Sequence, residues 1–126
     1  MRIAIFGAGG VGGYFGGRLA AANRNVVFIT RGDQLKAMQE IAQVAAAHQV
    51  RLSDDVVSRT LGFLETLPPD ATTSLQRDIT QGERSELDDW NGAVVHLGRE
   101  TGVATPTNNF VYNSLLPQEL HARGAI

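Results

Sequence analysis

A chain of 126 residues with 43% hydrophobic and 19% charged residues has the size and composition of one globular domain with one modest core. Its net charge of −2, with the basic residues scattered rather than clustered, leaves no electrostatic footprint for nucleic acid or anionic lipid, and both are excluded as primary partners. The absence of cysteine removes disulfides, zinc–thiolate sites and thiol catalysis, and fits a cytoplasmic protein.

Ile3, Ala4, Ile5 and Phe6 form a short apolar run that stops at Gly7, the pattern of a strand buried on both faces. From Val11 the positions Val11, Phe15, Leu19 and Ala22 recur at helical spacing. Asn23 to Asn25 then break the pattern before a second strand, Val26 to Ile29. Arg2, the apolar start and the run Ala20 to Ala22 loosely imitate a signal peptide. The seven glycines between Gly7 and Gly17 make a poor signal core, since each destabilises a helix by about 1 kcal/mol. No apolar run approaches the roughly 20 residues that span a bilayer. Strand, helix and strand together read as a βαβ unit closing at Thr30-Arg31-Gly32, half of a mononucleotide-binding fold.

Beyond this point the sequence reads as helices. Asp33 is a plausible N-cap for a helix to about His48, with Leu35, Met38, Ile41, Val44 or Ala45, and His48 along one face. A second helix starts at Ser53 and stops at Pro68-Pro69, and Asp70 caps a third that ends by Gly82. A fourth runs from about Ser85 to Thr101, with Leu87, Trp90, Val94 and Leu97 as its buried seam and Gly102 as its stop. Pro106 and Thr107 open a short fifth helix that Pro117 ends, leaving residues 117–126 as a loose tail. The fold class expected is an α/β start, a truncated Rossmann βαβ, followed by an all-α bundle. Its segments are a partial NADP-binding unit at residues 1–40, a helical domain at 41–116 and the tail. Two parallel strands alone are marginal, so a homo-oligomer is expected to cover them.

The segment Gly7-Ala8-Gly9-Gly10-Val11-Gly12 matches G-x-G-x-x-G between a strand and an amphipathic helix, the context that gives the match meaning. Gly7 permits the tight turn, Gly9 lets the backbone approach a pyrophosphate, and Gly12 lets helix and strand pack closely. Free N–H groups and the helix dipole favour the anion. The other reading of these glycines is a tight strand-to-helix turn without ligand. At the end of the second strand, where NAD binders usually place an acid, stand Thr30 and Arg31. A guanidinium suits a 2′-phosphate, so NADP(H) is favoured over NAD. Asp33 lies nearby as an alternative partner for a ribose hydroxyl, or as the N-cap.

The opening MRIAIFGAGGVGGYFGGRLAAANRNVVFITRGDQL, with its Gly12-Gly13-Tyr14-Phe15-Gly16 continuation, resembles the start of a ketopantoate reductase (2-dehydropantoate 2-reductase). The stretch LPPDATTSLQRDITQGERSELDDWNGAVVHLGRETGVATPTN, Leu67 to Asn108, resembles the C-terminal helical domain of that family. The resemblance implies an NADP-dependent oxidoreductase that reduces a small 2-keto acid, ketopantoate, to pantoate in pantothenate biosynthesis. Within the family's S-(M/L)-x-x-D and E-(L/I)-D-x-x-N-G patterns it implies substrate contacts at Ser74 and Glu86, with Asp88, Asn91 and Gly92 completing the second pattern. Ser74 also reads as an ordinary helix serine, and Glu86 as a first-turn acid favoured by the helix dipole.

The family's general acid is a lysine on the first helix of its C-terminal domain. The one lysine here, Lys36, lies on the helix after the second strand and outside that motif, so it reads as a solvated surface residue. The resemblance thus implies a chain that passes near Glu40 from the second Rossmann helix directly into the helical domain, without the intervening strands or the lysine helix. No residue is assigned as catalytic. His48, His96 and His121 sit in no recognisable constellation. Three readings follow: a ketopantoate-reductase-type enzyme, a non-catalytic nucleotide-binding or dimerising remnant, and a deletion product or gene-model artefact with no evolved role.

Overall fold

The computed structural model describes residues 2–6, 25–29, 31–68 and 70–126, with side chains from residue 33 onward. Strand β1 (Arg2–Phe6) pairs with β2 (Asn25–Ile29) in parallel, from Arg2 opposite Asn25 to Phe6 opposite Ile29. Five α-helices follow: α1 (Arg31–Ala47), α2 (Val56–Glu65), α3 (Ser74–Gln81), α4 (Ala93–Thr101) and α5 (Pro106–Ala122). A π-helical turn, Asp88–Gly92, leads without a break into α4.

The expected fold class is corrected here. The segment between the strands, residues 7–24, lies outside the described residues. No third strand and no helix joining the pair into a Rossmann βαβ is found among those that are described. The described architecture is a helical domain with a two-stranded parallel ribbon lying against α1 and α5.

Helix α1 is continuous through Glu40 and Ile41, as the absence of proline and glycine from Asp33 to Arg51 suggests. It starts at Arg31, so Asp33 lies inside the first turn rather than at the cap, and it lies 3.5 Å from Lys36 Nζ. The expected stripe is met in part: Val44 is buried and Met38 and His48 are half-buried, but Leu35 and Ile41 are exposed, and Glu40, one turn before Val44, is buried instead.

Helix α3 is capped by Thr73, whose hydroxyl accepts from the Gln76 N–H at 3.1 Å, and not by Asp70. Gly82, at φ +73°, ends it in the left-handed conformation that glycine adopts without strain, and Gly102 at φ +73° does the same for α4. At the other end of the chain, α5 continues through Pro117 to Ala122. The expected stop at Pro117 and the loose tail are therefore corrected. An interior proline loses a hydrogen bond and crowds the preceding turn. Here the turn beyond it is held from outside, because Glu119 is fully buried and bonded to Ser85.

The core lies where α4, α5 and the π turn meet. Leu87, Val95 and Tyr112 form its centre, and Leu75, Leu115 and Leu116 pack around them. The expected seam of Leu87, Trp90, Val94 and Leu97 is corrected to Leu87 and Val95, while Trp90 is 66% exposed. The π turn explains the shift. Its i→i+5 bond, from Gly92 N–H to the Leu87 carbonyl, inserts one residue into the helical count. The face that starts at Leu87 is therefore resumed eight residues later, at Val95, instead of seven.

Candidate functional site

Ser74 is the first residue of α3 and is exposed, and Glu86 stands exposed just before the π turn. Ser74 precedes Leu75, which packs against the cluster built on Leu87, and Glu86 precedes Leu87 itself. The two sequence-derived substrate residues thus flank side chains that share one core. They stand on separate elements, each exposed beside a residue of that cluster.

The segment carrying Glu86 is fastened to the end of α5. Glu119 Oε2 accepts from the Ser85 N–H at 3.0 Å and from the Ser85 hydroxyl, and that hydroxyl accepts from the Leu87 N–H at 3.3 Å. Arg123 Nε donates to Glu119 Oε1, and its terminal nitrogen donates to the Ser85 carbonyl at 3.4 Å and lies 3.5 Å from Asp88 Oδ2. The Tyr112 hydroxyl donates to Asp88 Oδ1 at 2.8 Å. Asp88 therefore links the core tyrosine to Arg123. Gly92 is buried where a Cβ would stand 3.0 Å from the Tyr112 ring, and Asn91 donates to Asn108 Oδ1 at 3.4 Å. In this second motif Asp88, Asn91 and Gly92 bind the fold together, and Glu86 projects from it.

Burial pushes the Glu119 carboxyl upward, but the hydrogen bonds from Ser85 and Arg123 outweigh that and hold it below the usual range. Burial first, and the bond to Asp88 second, push the Tyr112 phenol up. A depressed carboxyl contributes stability that is present above the unfolded-state value, about 4.3, and is lost as pH falls through the folded-state value. Urea unfolding midpoints are therefore expected to fall as pH drops below about 4.3, and Glu119→Gln is expected to flatten that slope. An equal slope in both proteins would remove Glu119 from the acid response.

A second buried carboxylate, Glu40, was not singled out by the sequence. It reaches from α1 to the start of α5, where Oε1 accepts from the Thr107 N–H at 2.8 Å and Oε2 from the Asn108 N–H at 2.9 Å. Oε2 also accepts from Asn108 Nδ2 at 2.7 Å. Thr105, at the N-cap position, makes no capping bond with its side chain, so Glu40 takes the place of the cap. Neither buried acid had a signature, because a carboxylate that caps a distant helix looks in sequence like any surface acid. No buried side-chain nitrogen or oxygen among the described residues lacks a partner.

Gly7, Ala8, Gly9, Gly10, Val11 and Gly12 lie outside the described residues, and Arg31 opens α1. His48 donates to the Leu97 carbonyl at 3.2 Å, His96 packs edge-on to Tyr112, and His121 sits in the last turn of α5. These are packing and capping positions. Among the described residues no group of three or more His, Cys, Asp or Glu side chains is placed to hold a metal, and no helix is long and apolar enough to cross a membrane.

Residues 22–119 match the family described as "Ketopantoate reductase PanE/ApbA C terminal". The 2-dehydropantoate 2-reductase of Pyrobaculum aerophilum is 33% identical over 85 residues, which are 68% of this chain and 30% of that protein. The crystal structure of 2-dehydropantoate 2-reductase from Methylococcus capsulatus aligns with TM-score 0.66 and 34% identity, over 72% of this chain and 31% of that one. The PanE/ApbA family ketopantoate reductase from Ralstonia eutropha aligns over 98% of this chain and 53% of its own with TM-score 0.62, and its 21% identity speaks for the fold alone. The chain thus spans under a third of the Pyrobaculum and Methylococcus reductases. With Ser74, Glu86 and the Asp88–Gly92 turn all inside the matched region, the chain belongs to the ketopantoate reductase family through that family's C-terminal region.

Proposed function

We propose that this chain carries the substrate-binding part of an NADP-dependent 2-dehydropantoate 2-reductase and binds a small 2-keto acid at Ser74 and Glu86. The carrying observation is that both residues are exposed, on the start of α3 and beside the π turn, and that the residue after each packs in one hydrophobic cluster. The Ser74 hydroxyl can donate to an acid oxygen, and the helix N-terminus at which it stands favours an anion. Ionised Glu86 only accepts, so it suits a hydroxyl of the substrate. π turns recur at functional sites because they re-aim side chains out of helical register.

NADP(H), when bound, supplies the hydride. The Gly7–Gly12 segment and Arg31 are its proposed contacts. The strand register supports this, since Phe6 lies opposite Ile29 and Arg31 opens α1 shortly after that strand end. Turnover by the chain alone is not proposed, because the family's lysine has no counterpart and a positioned acid is worth about 10²- to 10⁴-fold. Residues 1–40 are the chain's cofactor-side segment and residues from 41 onward its substrate-side segment, with residues 117–122 part of α5 and no separate tail at 117. Cytoplasmic location and assembly with a second copy belong to the same reading.

Calorimetric titration with NADPH and NADH, together with an assay for NADPH consumption with ketopantoate, tests it. Weak NADPH binding without turnover is expected. Arg31→Glu is expected to weaken NADPH more than NADH, since it sets a like charge against the phosphate. Tight binding with a preference for NADH, or an unchanged ratio in Arg31→Glu, would refute the cofactor assignment.

A further inference from the structure

We infer that Glu119 is a positioning residue for the segment that presents Glu86 to the substrate. This rests on the reading of Glu86 as a substrate contact, and it adds the residue that sets where Glu86 stands. The Ser85 N–H and hydroxyl both go to Glu119, the Ser85 carbonyl goes to Arg123, and the Leu87 N–H returns to the Ser85 hydroxyl. All of the hydrogen-bonding groups of Ser85 are therefore engaged, and the residue after Glu86 is fully buried. The Glu86 carbonyl is engaged as well, accepting from the Trp90 N–H at 3.0 Å. What remains free of this network is the exposed Glu86 side chain. Its backbone is held on one side by Ser85, bonded to a carboxylate 34 positions away, and on the other by the Leu87 N–H, bonded to the Ser85 hydroxyl.

The anchor is one-sided in a way that matters chemically. Glu119 is 0% exposed and its oxygens face donors on two elements: Ser85 from the loop before the π turn and Arg123 from the turn after α5. Arg123 in turn reaches Asp88, inside the π turn. Replacement by glutamine keeps the shape but presents an amide N–H₂ to one of these donors, so one bond becomes a donor–donor contact. The expected consequence is local: the Ser85–Leu87 backbone loosens while the Leu87–Val95–Tyr112 core stays packed. Glu86 then spends part of its time out of place, and substrate affinity falls.

The test compares wild-type, Glu119→Gln, Ser85→Ala and Glu86→Gln full-length chains by amide hydrogen exchange and by calorimetric titration with ketopantoate. Glu119→Gln is expected to speed exchange at the Ser85 and Leu87 amides by about tenfold relative to amides around Val44, and to weaken ketopantoate by about tenfold. Ser85→Ala, which removes only the hydroxyl, serves if Glu119→Gln does not fold, and is expected to give smaller changes of the same kind. Unchanged exchange at these amides, or an equal rise throughout the chain, would overturn the inference, as would full ketopantoate affinity in Glu119→Gln when Glu86→Gln has lost it. If Glu86→Gln binds like wild type, or wild type does not bind, the substrate reading fails on its own, and local exchange still decides whether Glu119 anchors the segment.

Discussion

Glu40→Ala is expected to destabilise the folded chain by about 3 kcal/mol, because it removes a charged acceptor from three donors at once. The N–H groups of Thr107 and Asn108 belong to the first turn of α5, where no intrahelical partner exists, and Pro106 before them has no N–H to satisfy. Asn108 is 2% exposed, so water cannot replace the lost carboxylate. The charge also faces the positive end of a helix 17 residues long, which adds to the loss. Glu40→Gln keeps one acceptor oxygen and is expected to lose about half as much. Urea unfolding followed by circular dichroism measures both. A loss under about 1 kcal/mol for the alanine variant would show that α5 does not depend on a cap from α1.

Leu87→Ala is expected to lower stability by a similar amount, about 3 kcal/mol, and the midpoint of thermal unfolding by roughly 10 °C. Leu87 has no exposed surface and sits at the centre of the cluster with Val95 and Tyr112. Its neighbours have little room to collapse into the space, since there is not even space for a Cβ between Gly92 and the Tyr112 ring, and the π turn fixes the backbone after Leu87. Trp90→Ala, by contrast, removes a side chain that is mostly in water, and is expected to change stability by no more than about 0.5 kcal/mol. A reversed order of these two variants would restore the seam expected from helical spacing and remove the π-turn explanation.

The glycine stops of α3 and α4 and the proline start of α5 were legible in the sequence, because their chemistry is local. Gly82 and Gly102 occupy left-handed positions, and Pro106 sits in the first turn of α5 where its missing N–H does no harm. The unbroken run from Asp33 gave the continuity of α1. Facing was less legible. Helical spacing placed Trp90 inside and overlooked Val95, since nothing in Asp88–Gly92 marks the extra residue of a π turn. The same limit hid Glu40 and Glu119, whose partners lie 67 and 34 residues away for the Thr107 and Ser85 contacts. It also misplaced the end of α5, because proline's local preference was outweighed by tertiary anchoring of Glu119 and Arg123. Ser74 and Glu86 were singled out through their motifs alone. That their neighbours Leu75 and Leu87 share one hydrophobic cluster was not readable from either motif.

The most direct test of a substrate site at Ser74 and Glu86 is a titration with ketopantoate followed by backbone amide resonances of the full chain. Saturable shifts are expected in the first turn of α3 and in residues 85–92, and Glu86→Gln is expected to abolish them while the remaining spectrum stays that of the folded protein. Resonances that stay still in both segments, or shifts that persist unchanged in Glu86→Gln, would contradict the site.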